Sequence, residues 1–172
     1  MLLVKRNHMK PIKNERGQSL VELAISITIL IFLLAGAVEF GMAFFQFVQL
    51  RDAAQEGALY GSTKPDSVAA IETRIRGASN SPIDLASGDV TITISIDGIP
   101  STDTANYSAV ACEGHGLKVL VKYDHQIFMP FIPAFIGGSI IPLNASVTDT
   151  ILSPTTPISP PGSSCPPPPP PP

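Results

Sequence analysis

Charge is scarce in this chain. Only 15% of its 172 residues are Asp, Glu, Lys or Arg, against about 25% in an ordinary globular domain. That scarcity argues against a compact cytosolic enzyme, while an apolar fraction of 44% argues against uniform disorder. Lys and Arg form no cluster beyond the first 17 residues, so there is no basic face for nucleic acid. Histidine is limited to His8, His115 and His125, and cysteine to Cys112 and Cys165. Cys112 and His115 have a C-x2-H spacing, but a structural zinc site needs four ligands and no second pair stands nearby. No phosphate-cradling G-x4-G-K-[S/T] run occurs, and no nucleophile can be matched with a base. The expectation is a non-enzyme with no catalytic residue, no metal and no cofactor.

What is present is unevenly distributed. Residues 1–17 hold Lys5, Arg6, Lys10, Lys13 and Arg16 against Glu15 alone, a net +4, and the remaining chain nets -7. Between these regions Leu23 to Val38 is a run of sixteen residues without a charge. Extended from Leu20 to Phe45 it covers 26 residues interrupted only by Glu22 and Glu39. A bilayer core of about 30 Å needs roughly 20 helical residues, so this segment is expected to span a lipid bilayer. The positive-inside bias puts residues 1–17 in the cytoplasm and the chain after about residue 46 outside. Eleven of the eighteen prolines fall between Ser153 and Pro172, which marks an extended, unpacked tail that serves as a spacer or has no role.

Two processing readings are open at the N-terminus. A signal peptidase could cut after Ala35-Gly36-Ala37, but it would leave a mature end, VEFGMAFFQFVQL, that exposes apolar surface to water. The other reading begins with RGQSLVEL, Arg16 to Leu23. A glycine closes the basic leader, and Glu22 follows five residues later as the apolar run begins. This resembles the type IV prepilin pattern, in which a membrane aspartyl protease cuts after the glycine. The resemblance implies cleavage between Gly17 and Gln18 by a prepilin-type peptidase. Glycine offers a side-chain-free backbone to a protease cleft. A carboxylate near the bilayer needs a partner, and the new α-amine of Gln18, about one helical turn away, would supply one in the same or a neighbouring subunit. A start at Met9 would shorten the leader.

The wider stretch from Arg16 to Ser62 resembles the TadE-like family of pseudopilins, which belong to tight-adherence (Flp pilus) systems. The carrying residues are Gly17-Gln18 with Val21-Glu22, then Val38-Glu39-Phe40-Gly41, then Asp52-Ala53-Ala54 with Glu56-Gly57-Ala58. The resemblance implies a bacterial cytoplasmic-membrane protein with one N-terminal spanning helix and an external domain. Its implied partners are other pilin or pseudopilin subunits and the Tad assembly machinery.

Glu39 lies seventeen residues beyond Glu22, roughly 25 Å along an α-helix. It is either a pairing site in an assembly or a boundary carboxylate reaching outward. Ala53, Gly57 and Gly61 then recur at four-residue spacing as the helix continues to about Tyr60, a stripe that admits close packing. The packing partner is either another subunit or the protein's own external domain.

Lys64-Pro65-Asp66 breaks the helix, and Asp66-Ser67 can cap a shorter one ending at Gly77. Period-two alternation then marks three strands, around Val90–Ile96, Leu117–Tyr123 and Leu143–Thr148. Ile127 to Ile141 is apolar without alternation. It is either a loop touching the membrane surface or a partner, or, as favoured here, a loop folded over the open face of the sheet. Cys112 and Cys165 are a candidate disulfide, which an external location permits without requiring.

The fold class expected is therefore α+β: a long N-terminal transmembrane helix, a small antiparallel-sheet external domain and a disordered proline-rich tail. The boundaries are 1–17 leader, 18–62 helix, 63–152 external domain and 153–172 tail. The functional expectation is a minor pseudopilin or assembly component. The alternative is an uncleaved membrane-anchored envelope protein with a partner-binding external domain.

Overall fold

The computed structural model describes residues 15–152 and 165–168; the basic leader before residue 15 and the rest of the proline tail lie outside the described residues. The chain divides into two compact units, the first ending at Val38 and the second beginning at Glu39. Helix α1, Glu15–Thr63, runs through both. In the first unit the apolar side chains from Leu20 to Leu34 find no cover, and the most apolar window has a mean hydropathy of 2.5 with none of it buried. Among the described residues this is one helix long and apolar enough to cross a membrane. A helix apolar on every side and covered on none calls for lipid or other chains as its solvent.

In the second unit the remainder of α1 becomes one layer of a two-layer α+β domain. Leu50, Ala53, Ala54 and Ala58 are buried against α2 (Val68–Gly77) and a four-stranded sheet. The sheet comprises β1 (Val90–Ile96), β2 (Ile99–Pro100), β3 (Gly116–Gln126) and β4 (Ile140–Thr150), in the order β2-β1-β3-β4 with every pair antiparallel. The antiparallel sheet behind a long apolar helix agrees with the sequence reading. Its alternation is also as expected: Leu117, Val119 and Val121 are buried, while Lys118, Lys122, Asn144, Ser146 and Thr148 face out.

Several local features differ from expectation. The Asp97-Gly98 turn is followed by β2, because Ser95 pairs with Pro100 and Ile96 with Ile99 around a two-residue loop. Both turn residues have positive φ, 49° at Asp97 and 85° at Gly98, the conformation that an Asp-Gly hairpin turn supplies. A further helix, α3 (Thr104–Val110), starts at Asp103, whose carboxylate accepts from the Asn106 amide. Ser67 does stand at the start of α2, but its side chain makes no capping hydrogen bond.

The apolar segment between β3 and β4 does not fold over the sheet. It closes with a hydrogen bond from the Ile127 amide to the Ser139 carbonyl and contains a single short turn of helix, α4 (Ile132–Ile136). Phe128 and Phe131 remain 78% and 58% exposed. The face it was expected to cover is already taken by α1 and α2, whose side chains join the core cluster with β1 and β3.

α3 is attached to the end of α1 through Tyr107, which is buried and donates its hydroxyl to the Pro65 carbonyl at 3.0 Å. Burial, reinforced by the negative charge of Asp66, pushes the Tyr107 phenol from 10.0 up to about 12. A raised acid pKa favours the folded state fully below the unfolded value, and that advantage is lost as pH climbs through the folded one. Tyr107→Phe should therefore lower stability by about 1–2 kcal/mol near neutral pH through the lost hydrogen bond. It should also flatten the decline in unfolding free energy between pH 10 and about 12; denaturant titrations of the two proteins across that range measure both effects.

Candidate functional site

The junction proposed for processing lies in the first turns of α1. Gly17, Gln18 and Glu22 are all exposed, and the Gln18 side-chain amide donates to the Glu22 carboxylate at 3.3 Å. Gly17 is helical in this structure, so a protease that binds an extended backbone must first unwind the opening turn.

Glu39 is the opposite case. It is 3% exposed although it lies on an otherwise lipophilic helix. Its Oε1 accepts from His125 Nε2 at 2.9 Å and from the Phe128 amide at 3.1 Å, and its Oε2 accepts from the Met129 amide at 3.2 Å. His125 is itself 2% exposed. The partners of Glu39 are thus in its own chain, and the carboxylate neither reaches outward nor stands open to a neighbouring subunit. It binds the helix to the end of β3 and to the start of the apolar loop at once.

In the sequence His125 is one of three scattered histidines and carries no role by itself. A signal was available: the inward row of β3 runs Leu117, Val119, Val121, Tyr123, and the next position by twos is His125. Stepping two residues back from Leu117 reaches His115, which is also 2% exposed. Each end of the buried row therefore carries an imidazole, and each imidazole meets a carboxylate. His115 Nδ1 lies 2.5 Å from Asp97 Oδ2, and Asp97 Oδ1 also accepts the Gly116 amide at 2.9 Å. His115 Nε2 faces the Pro166 carbonyl at 3.0 Å. Both ring nitrogens therefore face oxygen atoms, one of the turn and one of the tail.

That second contact belongs to the tail. Cys112 and Cys165 are joined by a disulfide. Residues 165–168, expected to be unpacked, are therefore fastened to the domain by a covalent bond and by Pro166. Among the described residues no group of three or more His, Cys, Asp or Glu could hold a metal ion, and the C-x2-H pair is occupied in these other ways.

The small-residue stripe is used within the chain. Ala53 is fully buried. A Cβ on Gly57 would come within 2.4 Å of Ile75 Cγ1, and one on Gly61 within 2.9 Å of Leu117 Cδ2. These two glycines let α2 and β3 approach α1 at distances that no side chain permits.

Residues 17–59 match the family model described as TadE-like protein. The match begins at the junction glycine and ends inside the small-residue stripe, and it bears out the resemblance of the Arg16 to Ser62 stretch to the TadE-like family. The matched segment suggests a Tad pilus-associated component, and it lies on the helix that is long and apolar enough to cross a membrane. No curated protein and no solved structure matches the chain.

Removing the Glu39 carboxylate would strand a buried imidazole and two loop amides. Glu39→Ala should cost about 3–5 kcal/mol, the usual penalty for breaking a buried pair from one side. Hydrogen exchange on the full chain should show the Phe128 and Met129 amides losing protection first, ahead of amides in the centre of β3.

Proposed function

We propose that the protein is a minor pseudopilin or assembly component of a Tad-type pilus or secretion system, held in the bacterial cytoplasmic membrane by α1. The observation that carries this reading is the TadE-like match over residues 17–59, coincident with a helix whose apolar side chains from Leu20 to Leu34 are exposed. The N-terminal leader lies in the cytoplasm, because it holds five of the chain's eleven basic residues. The sheet domain lies outside, where the Cys112–Cys165 disulfide is chemically at home.

On this reading a prepilin-type peptidase cuts between Gly17 and Gln18. Cleavage removes +4 of charge, releases the helix from its cytoplasmic anchor and exposes an α-amine. Glu22 is exposed and, among the described residues, accepts from the Gln18 side-chain amide, so it is available to pair with that amine in its own or an adjacent subunit. Of the two carboxylates within the apolar run from Leu20 to Phe45, Glu22 is the one with capacity left for assembly, since Glu39 is saturated inside the chain. Bare side chains along the first unit provide lateral contact with other pilin-like helices.

A second reading is an uncleaved, membrane-anchored envelope protein whose external domain binds a partner. It is favoured by the helical state of Gly17 and by the use of the small-residue stripe within the chain.

Intact-mass measurement and N-terminal sequencing of protein from its native membrane separate the two. A chain beginning at Gln18 is expected; one retaining Arg16 is the anchored protein, and one beginning at Val38 is a secreted product. Independently, Glu22→Ala should abolish co-assembly with pilin subunits while membrane insertion is unchanged, as read by cross-linking and by membrane fractionation. Unchanged assembly would remove the pairing role of Glu22.

A further inference from the structure

The loop from Ile127 to Ile141 is devoid of charge over all its residues. Its backbone is fastened inward near Glu39, and several of its side chains are turned outward. The Phe128 and Met129 amides are held by Glu39, whereas Phe128 is 78%, Phe131 58%, Ile136 55% and Ile140 49% exposed. Two prolines, Pro130 and Pro133, and the left-handed Gly137 (φ 76°) shape a compact knob instead of a strand extension. On α1, within two turns of Glu39, Phe40, Phe44 and Phe45 are 73%, 58% and 62% exposed. An apolar cluster of this kind, left open by a chain that has buried the rest of its core, marks a contact surface.

We propose that this knob, together with Phe40, Phe44 and Phe45, is seated in the interfacial layer of the bilayer leaflet from which α1 emerges. The inference rests on α1 spanning a membrane. Glu39 follows directly on Val38, the last residue of the charge-free run, and Phe45 is six residues further, about 9 Å along the helix. That length fits the headgroup layer flanking the hydrocarbon, where aromatic side chains collect.

The buried pair gives a second reason for lipid as the occupant. A carboxylate at the end of a spanning run would face hydrocarbon unless something covers it. The knob covers it from one side with amide donors and presents phenylalanine and isoleucine on the other. A shell that is polar inside, apolar outside and uncharged throughout suits a boundary with lipid. A water-facing loop would have no need of the apolar exterior.

The chain has no tryptophan, so single introduced indoles report their surroundings without background. Full-length Phe131→Trp, Phe128→Trp, Leu30→Trp and Leu59→Trp chains are reconstituted in phosphatidylcholine–phosphatidylglycerol vesicles, with and without brominated acyl chains. Leu30 lies in the apolar run, and Leu59 is exposed at the far end of α1. Expected are blue-shifted emission at Phe131→Trp and Phe128→Trp, severalfold stronger quenching by brominated lipid than at Leu59→Trp, and weak quenching by iodide. If Leu30→Trp is quenched by brominated lipid while both loop indoles are quenched by iodide, the helix spans and the seated knob is wrong. Loop indoles shielded from both quenchers in proportion to protein density would make a second copy the occupant, which also overturns the proposal. Failure of Leu30→Trp to sense brominated lipid would remove the spanning reading itself.

Discussion

A carboxylate placed at the end of an apolar helix must find hydrogen-bond donors, and Glu39 finds three: an imidazole from the end of β3 and two consecutive amides from the loop beyond it. Few other contacts in the chain join three segments so far apart in sequence. At the opposite end of β3 the same solution recurs with His115 and Asp97, which tie the strand to the Asp97-Gly98 turn and to the tail. Between the two pairs lies a dry row of Leu117, Val119 and Val121, whose packing is non-directional and would tolerate sliding along the helix. Directional bonds at both ends remove that freedom. The pairs thus define where β3 stops, and the apolar row provides most of the attraction.

The readable parts of the fold were those in which a repeating pattern extends over many residues. A charge-free run as long as Leu23–Val38 has few structural solutions, and alternation from Val90 to Ile96 and from Leu117 to Tyr123 allows only one inward face for each strand. Short elements escaped because they rest on single residues. β2 is two residues long and exists because Asp97 and Gly98 turn the chain tightly enough to pair Ile96 with Ile99. α3 depends on the Asp103 cap and on the anchorage of Tyr107 to Pro65. The path of the loop after Gln126 was not legible either, since its apolar composition suits a core and a lipid surface equally well. Its direction is decided by Glu39, 88 residues upstream of Ile127 in the sequence, and no local pattern carries that information. Of the candidate site residues, Gly17, Gln18 and Glu22 were readable from their junction, while His125 became meaningful only as the continuation of a strand row.

The stripe of Ala53, Gly57 and Gly61 shows how a helix designed for close approach can serve its own domain. Gly57 accommodates Ile75 and Gly61 accommodates Leu117, so α1 is wrapped on this side by α2 and β3. What remains open is the apolar cylinder ahead of Glu39, the junction at Glu22, and the exposed Phe40, Phe44, Phe45 and loop beyond Gln126. Contacts within the chain are concentrated after Glu39, while apolar surface suited to lipid lies ahead of it and continues through Phe40, Phe44, Phe45 and the loop after β3.

The bond between Cys112 and Cys165 also closes a covalent ring of chain, with 53 residues of sequence separation, that contains β3, the apolar loop and β4. A peptide bond cut anywhere inside this ring leaves the two fragments joined, so β3 and β4 keep their register partner even when the exposed loop between them is nicked. Only the combination of a cut and a reductant releases the second strand. The exposed apolar loop is thereby placed where a single scission does not dismantle the sheet.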